Sequence, residues 1–144
     1  MPRQDTKLES EGAEFLVLGQ LLINRIPAYK TYTNMPGYDV VATNPEKNTS
    51  ARLQVKSRWD TNARGFLINR FDTDFVVLVK LNRGSRKGNA DILNPQYYVF
   101  PVEVIESAHR KEKMPKVVLK DISELEQYEN NWESISIFLE SNIA

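Results

Sequence analysis

The sequence predicts one α+β domain, a leading helix followed by a mixed, mostly antiparallel sheet and closing helices. Three observations carry this. Residues 6–26 show apolar positions at helical spacing up to Pro27. Residues 37–58 then read as two strands around the turn sequence TNPEKNTS. Residues 74–81, DFVVLVKL, form a continuous apolar run of strand length, as expected of a strand buried on both faces.

The elements follow in order. Thr6 and Glu9 have the spacing of a capping box, in which hydroxyl and carboxylate each satisfy an orphan N–H. Leu8, Phe15, Leu18, Leu22 and Ile26 form the expected apolar stripe of the first helix. Gly12 and Gly19 fall within it and weaken the helix, but would let another element approach closely. AYKTYT (28–33) and MPGYDVVA (35–42) read as strands, and ARLQVKSR (51–58) as a third. A long basic loop, NRGSRKGNADILNP, separates DFVVLVKL from the short strand QYYVF. Pro101 suits the first turn of a helix running through Ser107. KVVLK reads as a further short strand, and DISELEQYEN and NWESISIFLESN as two closing helices, the second with Trp132, Ile135, Phe138 and Leu139 on one face. No repeat or linker divides residues 1–144, so a single domain is expected.

Composition narrows the chemistry. An apolar fraction of 41% and a charged fraction of 26% suit a soluble globular domain. No apolar run approaches the roughly 18 residues of a membrane span, and the polar start is unlike a secretory signal. Zero cysteines exclude disulfides and thiolate metal sites and suit a reducing cytoplasm. The single histidine, His109, rules out a histidine-cluster zinc site and is expected exposed at a helix C-terminus. A metal here would be held by oxygen, which favours Mg²⁺ or Mn²⁺. The formal net charge is zero, but it is unevenly spread. Residues 50–120 hold 14 basic and 7 acidic residues, and residues 121–144 hold 6 acidic and none basic. A basic middle of this kind suits a polyanion, or is simply a set of solvated faces.

Four polar residues resist a core explanation. In strand 51–58, Leu53 and Val55 face one side, and Gln54 and Lys56 the other. Asp39 lies on the neighbouring strand, and Glu14 at the margin of the helix stripe, with Glu11 the alternative inward acid. Two carboxylates, the Gln54 amide oxygen and the Val55 carbonyl form an oxygen donor set for a hard divalent cation. Such a cation polarises a phosphate and acidifies a bound water, and Lys56 would orient that water or neutralise developing charge. The competing reading is a solvated strand face, with Asp39 capping a turn and Lys56 discouraging edge pairing.

A helix acid, then Asp, then (Asp/Glu/Gln)-x-Lys on adjacent strands resembles the PD-(D/E)XK nuclease superfamily, which includes restriction endonucleases and Holliday-junction resolvases. The pieces are EGAEFLVLGQLL, GYDVV and LQVKS, with DFVVLVKL and YYVFPVEV resembling the strands that follow. The resemblance spans roughly residues 8–107. It implies an α/β/α layered, restriction-endonuclease-like core and an active site of Glu14, Asp39, Gln54 and Lys56. It further implies Mg²⁺ or Mn²⁺ held by Glu14, Asp39, Gln54 and the Val55 carbonyl. Two departures stand out: Pro36 does not directly precede Asp39, and Gln54 replaces the usual acid. The expected activity is Mg²⁺-assisted hydrolysis of DNA phosphodiesters by water. RNA is the alternative nucleic acid, and a homodimer or a specificity-giving partner protein the expected assembly. Arg58, Arg83, Arg86 and Lys87 are the expected phosphate contacts, and Trp59 a base-stacking candidate or a core cover. The rival reading is a catalytically inactive module of the same fold that binds nucleic acid or protein.

Overall fold

Apolar patterning produces a five-stranded sheet between two layers. The computed structural model describes residues 6–31, 38–85 and 87–141. Helix α1 (Thr6–Ile23) leads into strands β1 (Ala28–Lys30), β2 (Val40–Asn44), β3 (Thr49–Arg58), β4 (Gly65–Leu67), β5 (Phe75–Lys80) and β6 (Gln96–Pro101). Helix α2 (Val102–Ala108), strands β7 (His109–Arg110) and β8 (Lys116–Val118) and helix α3 (Glu133–Glu140) follow. The main sheet runs β1-β2-β3-β5-β6, and a small sheet runs β4-β8-β7. Among the described residues only the β3–β5 pair is parallel. The chain makes that crossover through β4, on the face of the sheet opposite α1.

The sheet has a core on each face. On one, Ala13, Val17 and Leu21 of α1 and Ile135 and Leu139 of α3 pack on Val40, Leu53, Val77 and Val99. On the other, Ile105 of α2 and Phe66 and Val117 of the small sheet pack on Val76, Leu78 and Phe100. Residues 75–79 of β5 are buried throughout, which explains their unbroken apolar run.

Several expectations are corrected. Helix α1 ends at Ile23, short of Pro27, because the chain closes a Schellman motif. Arg25 adopts φ 62°, its N–H reaches the Leu22 carbonyl at 3.0 Å, and the Ile26 N–H reaches the Leu21 carbonyl at 2.9 Å. The buried stripe is Ala13, Val17 and Leu21, a ridge of every fourth residue; Leu8, Phe15 and Leu22 of the expected stripe are instead at least half exposed. Gly12 and Gly19 lie on that outer side, and a Cβ built on either one would meet no other element of the described residues within 4 Å. DISELEQYEN (121–130) is not a helix: a short 3-10 turn at 119–121 ends as it begins and a second covers 125–128, since Glu124 with φ 51° interrupts a continuous helix. His109 is half-buried: it caps α2, its Nε2 lies 2.8 Å from the Ile68 carbonyl, and its ring meets Phe71 edge-on. The expected strands over 28–33 and 35–42 lie partly outside the described residues.

Candidate active site

Strand β3 outlasts its partner β2, and the site is built where the pairing stops. Val40 pairs with Leu53, and the Asp39 N–H still donates to the Leu53 carbonyl at 2.8 Å. The next inward N–H of β3 belongs to Val55, and the Asp39 carboxylate accepts it at 2.9 Å. At Val55 a side chain thus takes the place of a backbone partner. Thr31 holds the Asp39 backbone from the far side, its N–H donating to the Asp39 carbonyl at 3.0 Å and its hydroxyl at 3.2 Å. Asp39 is therefore fixed by both neighbouring strands. In an extended strand the N–H and C=O of one residue leave by the same edge, so the Val55 carbonyl is directed towards the side that holds Asp39.

Gln54 and Lys56 share the face expected of them, but it is not a solvated edge. β3 lies at the centre of the main sheet, Gln54 is 8% exposed, and Lys56 is partly buried. Burial pushes the Lys56 pKa down, and the Asp39 charge partly offsets this. Among the described residues the buried Gln54 Oε1 has no hydrogen-bond partner, and neither do Asn82 Oδ1 and Trp132 Nε1. A buried orphan acceptor is costly and calls for an explanation. A hard cation would satisfy this oxygen, and its place beside Asp39 on β3 fits that role.

Glu14 enters from α1. It is half-buried; burial raises its pKa, the Asp39 charge raises it further, and Lys30 opposes both. Lys30 was not among the expected site residues. It sits on β1 opposite Val40, 4% exposed, with its ammonium hydrogen-bonded to Glu11 and 3.2 Å from Glu14 Oε1. It also lies 4.3 Å from the centre of the Phe15 ring. Burial works against its charge, but the two carboxylates outweigh it and hold its pKa above the ordinary value. Its sequence signal was alternation: Ala28 and Lys30 share one face of β1, so Lys30 turns towards the helix that carries the acids. Of the two acids, Glu14 is the more buried, and it is the one that feels the Asp39 charge.

Among the described residues no group of three His, Cys, Asp or Glu side chains could hold a metal. The expected donors, Glu14, Asp39, the Gln54 amide oxygen and the Val55 carbonyl, would offer only two carboxylates and two neutral oxygens, a set suited to weak binding. The expected phosphate contacts are spread more widely. Arg58, half-buried, donates through Nη1 to the Gly65 carbonyl. Arg83 is exposed, with its N–H on the Trp59 carbonyl at 2.8 Å, so its loop is anchored to the end of β3. Lys87 is exposed, and Arg86 lies outside the described residues. Trp59 is 38% exposed and covers the core only in part.

No protein-family model matches the chain. No curated protein matches it either. The fold does match a solved structure, that of a bacterial homing endonuclease, I-Ssp6803I, with a TM-score of 0.58 and 22% sequence identity over 95% of this chain and 93% of that one. The likeness runs nearly the length of both chains and shows a shared α+β fold.

Proposed function

We propose that the chain is a metal-dependent endonuclease that hydrolyses DNA phosphodiester bonds with Mg²⁺ or Mn²⁺. One observation carries the reading: Asp39, locked onto Val55, lies one register step beyond the Val40–Leu53 pair and so opposite Gln54, whose buried oxygen has no hydrogen-bond partner among the described residues. The fold shared with an endonuclease supports it. Glu14, Asp39, Gln54 Oε1 and the Val55 carbonyl would hold the ion. When bound, it polarises the scissile phosphate and acidifies a water. Lys56, two residues along the same face, neutralises charge developing on the phosphate and orients the water. Its lowered pKa reflects a desolvated ammonium, which interacts more strongly with a phosphate than a hydrated one does. Arg58, Arg83, Arg86 and Lys87 are proposed as contacts to flanking phosphates, and two copies would be needed to cut both strands. A chain without cysteine suits a reducing cytoplasm, and no helix among the described residues is long and apolar enough to cross a membrane.

Titration calorimetry with Mn²⁺ tests the metal site. Wild type should bind weakly, Asp39→Asn not measurably, and Gln54→Glu more tightly, because a nearly isosteric carboxylate replaces a neutral oxygen. Equal heats for all three proteins would remove the metal site.

A further inference from the structure

We propose that the outer face of the small sheet is a track for the DNA backbone leading into the Asp39–Lys56 site, with Arg58, Arg64, Lys113 and Lys116 as its phosphate contacts. The inference rests on the nuclease reading and extends it from the scissile bond to the flanking strand. Register defines the face. Phe66 pairs with Val117 and both are buried, whereas Leu67 pairs with Lys116 on the opposite side, and Leu67 is 53% exposed. Two hollows meet at Leu67. One contains Lys56 and Lys113, together with the exposed Met114. The other contains Arg58, Arg64 and Lys116.

The charge is one-sided. Five cations line the two hollows against one acid, Asp60; a second acid, Glu112, lies at the rim, 3.4 Å from Lys116. Lys56 and Arg58 are two residues apart on one strand face, about 6.6 Å at strand rise. Successive phosphates of one DNA strand rise about 3.4 Å along the axis and are further apart through space because the backbone winds, so the pair is spaced for neighbouring phosphates. A phosphate held at Lys56 therefore has its neighbours directed along a surface that already carries cations. The exposed Leu67 between the hollows offers an apolar ridge to the sugars. The hollow that contains Lys56 shares Leu67 with the hollow that contains Arg58, Arg64 and Lys116, which favours a polyanionic strand over an isolated small ligand.

The test measures binding of a 30-bp DNA duplex by fluorescence anisotropy in EDTA at several salt concentrations, with cleavage in Mg²⁺ followed separately. Arg64→Ala/Lys113→Ala should weaken binding and lower the slope of log affinity against log salt by about 1.8, the loss of two phosphate contacts. Lys47→Ala, in the β2–β3 turn, should leave both unchanged. Thermal melting of each variant establishes that it is folded, and Lys113→Glu alone, at an exposed loop position, repeats the test should the double variant unfold. An unchanged slope in a folded variant overturns the track, as does a wild type that binds polyglutamate but not the duplex. If the slope falls as expected while no Mg²⁺-dependent cleavage occurs, the track stands and the nuclease reading falls. If cleavage depends on Asp39 while the slope does not move, only the track falls.

Discussion

The Asp39 carboxylate accepts the Val55 backbone N–H at 2.9 Å, at the point where β2 ends and β3 runs on. One side chain thereby terminates a strand pair and places an anionic oxygen against the strand that carries Gln54 and Lys56. The two duties can be separated. Asp39→Ala leaves a part-buried N–H without an acceptor and should cost about 1–2 kcal/mol in urea unfolding. Asp39→Asn keeps an acceptor oxygen and should unfold within about 0.5 kcal/mol of wild type, yet lose metal binding. Equal destabilisation by both would mean that the charge, and not the hydrogen bond, holds β3.

Lys30 is enclosed between α1 and β1 with Glu11 and Glu14 around its ammonium. Lys30→Met removes the cation and leaves the partly buried Glu14 uncompensated, which should cost about 1–3 kcal/mol. Glu14→Gln in the same background should recover part of that loss, since the stranded charge is gone. A double-mutant cycle by chemical denaturation measures the coupling; a coupling near zero would show that Lys30 gains nothing from Glu14.

Burial lowers the Lys56 pKa from the ordinary 10.5 in the folded chain. Between the lowered value and 10.5 the unfolded chain binds more protons than the native one, so stability rises with pH across that window. The metal-free protein should therefore gain stability from Lys56→Met at neutral pH, and the variant should lose the rise. Melting temperatures in EDTA between pH 7 and about 9.5, below the ordinary tyrosine range, measure both. A variant less stable than wild type at pH 7 would contradict the assigned desolvation. Glu14 has the opposite sign: its raised pKa means that stability falls as pH rises above 4.5 through the native value.

Gly65 brings β4 against β8. A Cβ built there would lie 2.3 Å from the Val117 carbonyl oxygen, so a backbone must shift to admit one. Gly65→Ala should cost about 1–3 kcal/mol, and it should also weaken duplex binding, since the same sheet carries the proposed track. Loss of stability with binding unchanged would place the DNA elsewhere.

The order of helix, hairpin and buried strand was legible because those segments carry long, clean periodicities. The alternation in β3 placed Gln54 and Lys56 on one face, and the turn sequence after β2 placed Asp39 beside them. Other features were hidden for definite reasons. Helix α1 has apolar residues on both sides, Leu8 and Phe15 as well as Val17 and Leu21, so periodicity alone chose the wrong face. Strands β4 and β7, of 3 and 2 residues, are too short to show a period. Lys30 gains its partners from a helix 16 and 19 residues away in the chain, contacts that no local pattern encodes. Of the cations of the small sheet, Arg64 is far in sequence from Lys113 and Lys116 and joins them only through the β4–β8 pairing.

The central claim is that Asp39, Gln54 and Lys56 form a phosphodiester-cleaving site, and DNA cleavage tests it most directly. Wild type and Lys56→Ala would be incubated with supercoiled plasmid, linear duplex and a four-way junction, each in Mg²⁺, in Mn²⁺ and in EDTA. The account predicts metal-dependent cutting of at least one substrate by wild type. Lys56→Ala should cut at least 100-fold more slowly, on the order of the loss from removing one group that stabilises transition-state charge, while its Mn²⁺ affinity stays close to that of wild type. Cutting that persists in EDTA, Lys56→Ala cutting at the wild-type rate, or no cutting of any substrate would contradict it.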